Sequence, residues 1–108
     1  MNLYFDAVYK KGYVNGNYYF GMQYKEQEEY SKAVEHFEKS AKNGHIESLV
    51  ELGILYASGK GSLMKKYKKA VECFEKPLKQ DHPVAIFQMA NLYRDGNGVK
   101  KDVNKAIE

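Results

Sequence analysis

The chain has 108 residues, with 17 Lys+Arg against 14 Asp+Glu for a net charge of +3, and is 44% hydrophobic and 29% charged. This describes one domain with apolar residues enough for a single core; it is too rich in them for a disordered segment, and too weakly basic to imply nucleic acid on charge alone. A single Cys excludes an internal disulfide framework and a cysteine zinc cage, no apolar run approaches a membrane span, and Met1 to Asp6 lacks the pattern of a secretory leader, so the expected location is the cytoplasm.

Two blocks alternate along the chain. Gly21-Met22-Gln23-Tyr24 returns 32 residues on as Gly53-Ile54-Leu55-Tyr56, and 37 residues further as Ala90-Asn91-Leu92-Tyr93. Ala33-Val34-Glu35-His36-Phe37-Glu38-Lys39 returns 37 residues on as Ala70-Val71-Glu72-Cys73-Phe74-Glu75-Lys76, and a third copy starts at Lys105-Ala106-Ile107-Glu108. Self-similarity at such a period marks a repeat array. Phe5 precedes Gly21 by 16 residues, as Phe37 precedes Gly53, with Gly12 and Gly44 at matching places. Residues 1–12 therefore read as the back half of a second block. The chain divides into that half-unit, repeat 1 over 13–44, repeat 2 over 45–81 and an incomplete repeat 3 over 82–108.

In chain order, a half-helix is expected near 2–11 and a first A helix near 15–26. The first B helix, near 29–43, places Tyr30, Ala33, Val34, Phe37 and Ala41 on one face and Lys32, Glu35, Glu38, Lys39 and Lys42 on the other. Asn43-Gly44 suits its end. The second A helix, near 46–58, aligns Leu49, Leu52, Gly53 and Tyr56 on one face; Gly59-Lys60-Gly61 then turns the chain into a B helix near 66–79. There Tyr67, Ala70, Val71, Phe74 and Leu78 repeat the stripe, and Pro77 is expected to remove one backbone bond and kink the helix. Pro83 suits the first turn of an A helix near 83–95, which aligns Ile86, Met89, Ala90 and Tyr93. Gly96-Asn97-Gly98 turns it back, and Asp102 is placed to cap a last helix from 103 onward.

Gly inside a helix costs about 1 kcal/mol against Ala. At Gly21 and Gly53 the expected compensation is close approach of helix B. Tyr24, Tyr56 and Tyr93 would pack beside that crossing, with Ala33, Ala70 and Ala106 as the matching small face. One such hairpin cannot bury its apolar face, whereas stacked copies can, so the sequence predicts an extended array.

The run Gly96-Asn97-Gly98-Val99-Lys100-Lys101-Asp102-Val103-Asn104-Lys105-Ala106 resembles the signature loop of Sel-1-like repeats, which are relatives of tetratricopeptide repeats. Leu52-Gly53, Tyr56, Gly59, Gly61, Ala70 and Phe74 match the same pattern, and the 37-residue spacing is usual for that family. The first repeat departs from it with a short Lys25–Glu29 turn lacking Gly-x-Gly; the second departs with Ser62 for the usual Val and Lys66 for the usual capping Asp. The resemblance implies an all-α solenoid of antiparallel helical hairpins forming a right-handed superhelix. It also implies a non-catalytic scaffold or adaptor that binds a peptide segment or partner protein on its concave helix-A face. The residues matching that face are Tyr18, Met22 and Lys25, then Glu47, Val50 and Ile54, then Phe87, Asn91 and Arg94. Tyr18, Val50 and Phe87 would form an apolar strip supplying binding energy, with the polar groups at its edges setting register.

Catalytic and metal chemistry find little support in the residues. His36, His45 and His82 form no His-Glu-x-x-His pair, and His36 reads as a surface or inter-repeat residue. Cys73 reads as a small buried thiol with no base in its pattern. Gly59-Lys60-Gly61 lacks the Gly-Lys-Ser/Thr ending of a phosphate loop. The expectation is no enzyme activity, no cofactor, no metal and no membrane partner. Lys60, Lys65, Lys66, Lys68 and Lys69 form a basic segment with no acid between Leu52 and Val71. It is either a solvated face or a contact for an acidic partner or nucleic acid, the latter disfavoured because Arg94 is the only Arg. An acidic run, Glu26, Glu28 and Glu29, lies one repeat away. End-to-end self-association is a third reading, through Leu3, Phe5 and Val8 at one end and Val103 and Ile107 at the other.

Overall fold

The computed structural model describes residues 14–60 and 65–107. The expected half-helix over 2–11, Leu3, Phe5 and Val8, Gly61 and Ser62 lie outside them, as do the side chains of Ala106 and Ile107. Six helices follow in chain order: α1 (Val14–Glu26), α2 (Tyr30–Ala41), α3 (Ile46–Ser58), α4 (Tyr67–Lys79), α5 (Pro83–Asp95) and α6 (Val103–Ile107), with no strand among the described residues. Each helix packs on the next one in the chain, and α3 also touches α5. Such serial packing makes a solenoid of hairpins α1/α2, α3/α4 and α5/α6. Its extents are 48 × 30 × 17 Å, and its radius of gyration of 14.6 Å exceeds the value of about 13 Å for a closed domain of this length.

One apolar cluster runs through the array, from Ala33, Val34 and Phe37 through Leu52, Leu55, Tyr56, Ala70 and Phe74 to Ala85, Met89 and Leu92. The helical glycines have a definite partner. A Cβ on Gly21 would stand 2.6 Å from the Phe37 ring, and one on Gly53 would stand 2.7 Å from the Phe74 ring. The sequence pointed to small faces meeting. The structure instead brings a phenyl ring of helix B against the bare backbone of helix A, with Ala33 and Ala70 fully buried as well.

Each A helix turns into its B helix through the same backbone hydrogen bond. The carbonyl of Tyr24 accepts from Glu29 N–H at 2.9 Å, that of Tyr56 from Lys66 at 2.7 Å, and that of Tyr93 from Asp102 at 2.9 Å. Turns of quite different length therefore begin and end at equivalent points. In the two longer ones the helix stops on Gly59 and Gly96, at φ 62° and 69°, a left-handed conformation that glycine adopts without a Cβ clash. Asp102 caps α6 as the sequence implied, its Oδ1 accepting from Lys105 N–H at 3.2 Å. Lys66, at the equivalent place before α4, makes no side-chain cap.

Pro77 costs α4 one backbone bond, as expected, and the helix continues through it to Lys79. The proline forfeits its own bond to the Cys73 carbonyl, but it sits in the last turn. There its carbonyl accepts from Gln80 and His82 N–H at 3.1 and 3.0 Å, and its ring is fully buried where repeat 1 has the buried Ser40.

Candidate functional site

The nine residues expected on the helix-A face divide by where they stand in the array. Tyr18, Met22 and Ile54 are half-buried against the core. The Tyr18 ring lies 6.0 Å from Phe37 and 5.0 Å from His45, centre to centre. Val50 is 3% exposed and has no surface to offer a partner, whereas Phe87, its register equivalent in α5, is 63% exposed. Asn91 and Arg94 follow Phe87 on the same helical stripe, Asn91 half-buried and Arg94 exposed. Tyr18, Val50 and Phe87 are thus a single register but not a continuous apolar strip.

The charged members of the set tie one repeat to the next. Lys25 Nζ donates to Glu51 Oε1 at 2.7 Å, linking α1 to α3. His82 Nε2 donates to Glu47 Oε1 at 2.9 Å, linking the start of α5 to α3. Arg94 instead pairs with its neighbour Asp95, Nε to Oδ1 at 3.1 Å.

His45 and His82 have a role that the sequence reading missed: both are N-caps. The Nδ1 of His45 accepts from Ser48 N–H at 3.3 Å and lies 2.7 Å from Ser48 Oγ; the Nδ1 of His82 accepts from Val84 N–H at 3.3 Å. A neutral ring protonated on Nε2 satisfies both bonds of His82 at once. The signal was available, since both histidines stand directly before an A helix at 37 residues' separation, but histidine is not among the strong N-cap residues. His36 is likewise relocated. It stacks on Tyr24 within its own hairpin, with ring centres 5.3 Å apart, and its Nδ1 lies 3.2 Å from Asn17 Oδ1.

Partial burial holds the His36 and His45 rings below the ordinary imidazole value of 6.5; Lys39 adds to the effect at His36, and Glu47 works against it at His45. A folded-state value below the unfolded one means that the unfolded chain takes up the proton first. The associated stability is complete above about pH 6.5 and is lost as pH falls through the folded values. Protonation of His45 Nδ1 also destroys the acceptor that caps α3. The melting temperature is therefore expected to begin falling as pH drops below about 6.5, before most carboxylates titrate. His45→Asn, which keeps a capping oxygen but does not titrate, should flatten that slope; an unchanged slope would remove His45 from the account.

The surroundings of Cys73 are not those of a nucleophile. Burial, with the Glu72 and Glu38 carboxylates adding to it, pushes the Cys73 thiol up to about 11, the opposite of what a nucleophile needs. Among the described residues no group of three His, Cys, Asp or Glu is placed to hold a metal ion, and no helix is long and apolar enough to cross a membrane. A cavity of about 420 Å³ opens beside α5, lined by Leu78, Ile86, Met89, Ala90 and Tyr93 with Asp81 and Lys105 at its rim. Ala90 stands in the register of Gly53, on which Phe74 rests in the preceding hairpin.

Comparison with known proteins agrees with this architecture. A protective antigen present in uropathogenic Escherichia coli strains, displaying an SLR fold, superposes with a TM-score of 0.85 at 25% identity, over 94% of this chain and 22% of its own. A Sel1 repeat protein from Oxalobacter formigenes superposes with a TM-score of 0.81 at 23% identity, over 95% of this chain and 43% of its own. This chain therefore spans less than half the length of either. No curated protein matches it in sequence. The model of the Sel1 repeat matches residues 9–45, 46–82 and 83–108. Sel1 repeat proteins are generally protein-interaction scaffolds. With three tandem matches laid over three stacked hairpins, the chain belongs to the Sel1 repeat family.

Proposed function

We propose that this chain is a non-catalytic scaffold that holds a peptide segment or partner protein on the concave face of its A helices, with Phe87 as the apolar anchor. The observation that carries the reading is the serial stack of hairpins matched by three Sel1 repeats, whose A helices share one register in which Phe87 is 63% exposed. Burying such a side chain in a partner releases apolar surface from water at little entropic cost, because the ring has only two rotatable bonds. Asn91 and Arg94 flank it one and two turns on and supply hydrogen-bond register. Met22 and Ile54 extend the face into the first two repeats, while Tyr18 and Val50 support it from beneath. The Lys25–Glu51 and Glu47–His82 ties hold successive A helices in place, so binding needs little rearrangement.

Phe87→Ala is expected to weaken the partner by about 1–2 kcal/mol while leaving the melting temperature nearly unchanged. The partner is first isolated with the intact chain as bait, and calorimetric titration then compares the two proteins. Equal affinity would remove Phe87 from the interface; a large drop in melting temperature would make it a structural residue instead.

A further inference from the structure

The connections from A to B helices carry a second pattern, independent of the Phe87 face. In each hairpin a lysine lies over the tyrosine of the same repeat. The Nζ of Lys32 is 5.5 Å from the Tyr24 ring centre, that of Lys69 is 5.6 Å from Tyr56, and that of Lys105 is 5.1 Å from Tyr93. Lys66 adds a second ammonium 5.9 Å from Tyr56. The three lysines share one register, immediately before Ala33, Ala70 and Ala106. A ring within about 6 Å attracts an ammonium and restrains it without cancelling its charge. The result is a row of positioned cations.

Around the second and third of these lysines predominate, although Glu38 reaches the Tyr56 hydroxyl and Asp95 and Asp102 flank the third connection. Lys65, Lys66 and Lys68 surround the start of α4, and Lys100 and Lys101 precede α6. The two groups are neighbours, because the third connection is seated on the first turn of α4: a Cβ on Gly98 would stand 2.7 Å from the Tyr67 carbonyl oxygen. Among the described residues, the ion pairs formed are Lys25–Glu51, Lys32–Glu29, His82–Glu47 and Arg94–Asp95, none of which involves a lysine of these two groups. Of the carboxylates nearby, Asp102 is engaged by the Lys105 backbone N–H, Asp95 by Arg94 and Glu38 by the Tyr56 hydroxyl. A polar recess of about 390 Å³ opens there, lined by Tyr93, Lys100, Lys101, Asp102 and Lys105. The first connection is the opposite case: it carries Glu26, Glu28 and Glu29, and its Lys32 already faces Glu29 at 3.7 Å.

We propose that the edge running from the start of α4 to the start of α6 is a docking surface for an acidic polypeptide segment. Its cations are lysines, compact point charges that suit single carboxylates rather than the bidentate phosphate contacts favoured by arginine. The one arginine, Arg94, is held by Asp95. Tyr56 is itself buried and Tyr93 lies under Lys105, which leaves these two rings little open face on which a nucleic-acid base would stack.

The test uses the intact chain and a fluorescein-labelled decaglutamate peptide, followed by fluorescence anisotropy. Saturable binding that weakens as salt is raised is expected. Lys68→Glu with Lys100→Glu should weaken it about tenfold or more. Lys42→Glu with Lys79→Glu makes the same change in net charge at the far ends of α2 and α4, and should shift the affinity by less than about twofold. All four lysines are exposed, so both double variants should keep the helical circular dichroism of the parent. Absence of binding, or equal loss in the two variants, overturns the proposal. So does tighter binding of a ten-nucleotide single-stranded DNA, or of phosphatidylserine vesicles, than of the peptide.

Discussion

Phe74→Ala is expected to remove about 3–5 kcal/mol of stability, the range for deleting a fully buried phenyl ring. Phe74 has no exposed surface and belongs to the cluster that runs from hairpin to hairpin. Its ring lies against the backbone of Gly53, so on that side the resulting cavity has no side chain that can move in to fill it. A domain of this size is stabilised by only about 5–15 kcal/mol in total. The loss should therefore show as a large shift of the guanidinium unfolding midpoint followed by circular dichroism. A change below about 1 kcal/mol, the scale of an ordinary surface substitution, would mean that the ring does not join α3 to α4 as described.

Gly53→Val should destabilise by about 3 kcal/mol, the upper part of the range for overpacking. A new Cβ would stand 2.7 Å from both Cε1 and Cζ of Phe74, and the ring is enclosed on its other side by the core. The substitution removes glycine's backbone flexibility, which by itself would favour the helix by a few tenths of a kcal/mol. Any net loss therefore measures the clash. The distinguishing variant is the pair Gly53→Val with Phe74→Leu. If the contact is as described, the smaller residue makes room and the pair recovers at least about 1 kcal/mol relative to additivity. If Gly53 served only backbone freedom, the two losses would simply add.

The helices were legible because each carries its own instructions. The apolar stripes Ala33, Val34, Phe37 and Ala70, Val71, Phe74 name the buried face, and Pro83, Asp102, Gly59 and Gly96 punctuate the ends. Pro77 is tolerated because the penalty for proline depends on how much helix follows it, and α4 ends two residues later. The histidine caps escaped notice because capping depends on where a ring nitrogen points, which propensity does not encode. The face residues show the same limit. Lys25 meets Glu51 at 26 residues' separation and Glu47 meets His82 at 35, so each pair forms only once the repeats have stacked. Cys73, by contrast, was readable as an inert buried thiol from its place beside Phe74 on the apolar side of helix B.

The order of the helices, the pairing of A with B and the family they form follow from residue pattern alone, because period and punctuation are local properties copied from repeat to repeat. Which member of a shared register remains accessible does not follow. Val50 and Phe87 occupy one register, yet one is 3% exposed and the other 63%. The continuity of the lysine edge from α4 to α6 was equally hidden, because it depends on the third connection settling against the Tyr67 carbonyl. Accessibility and proximity are properties of the stack: neighbouring repeats cover some copies of a position and leave others open, and only the assembled array decides which.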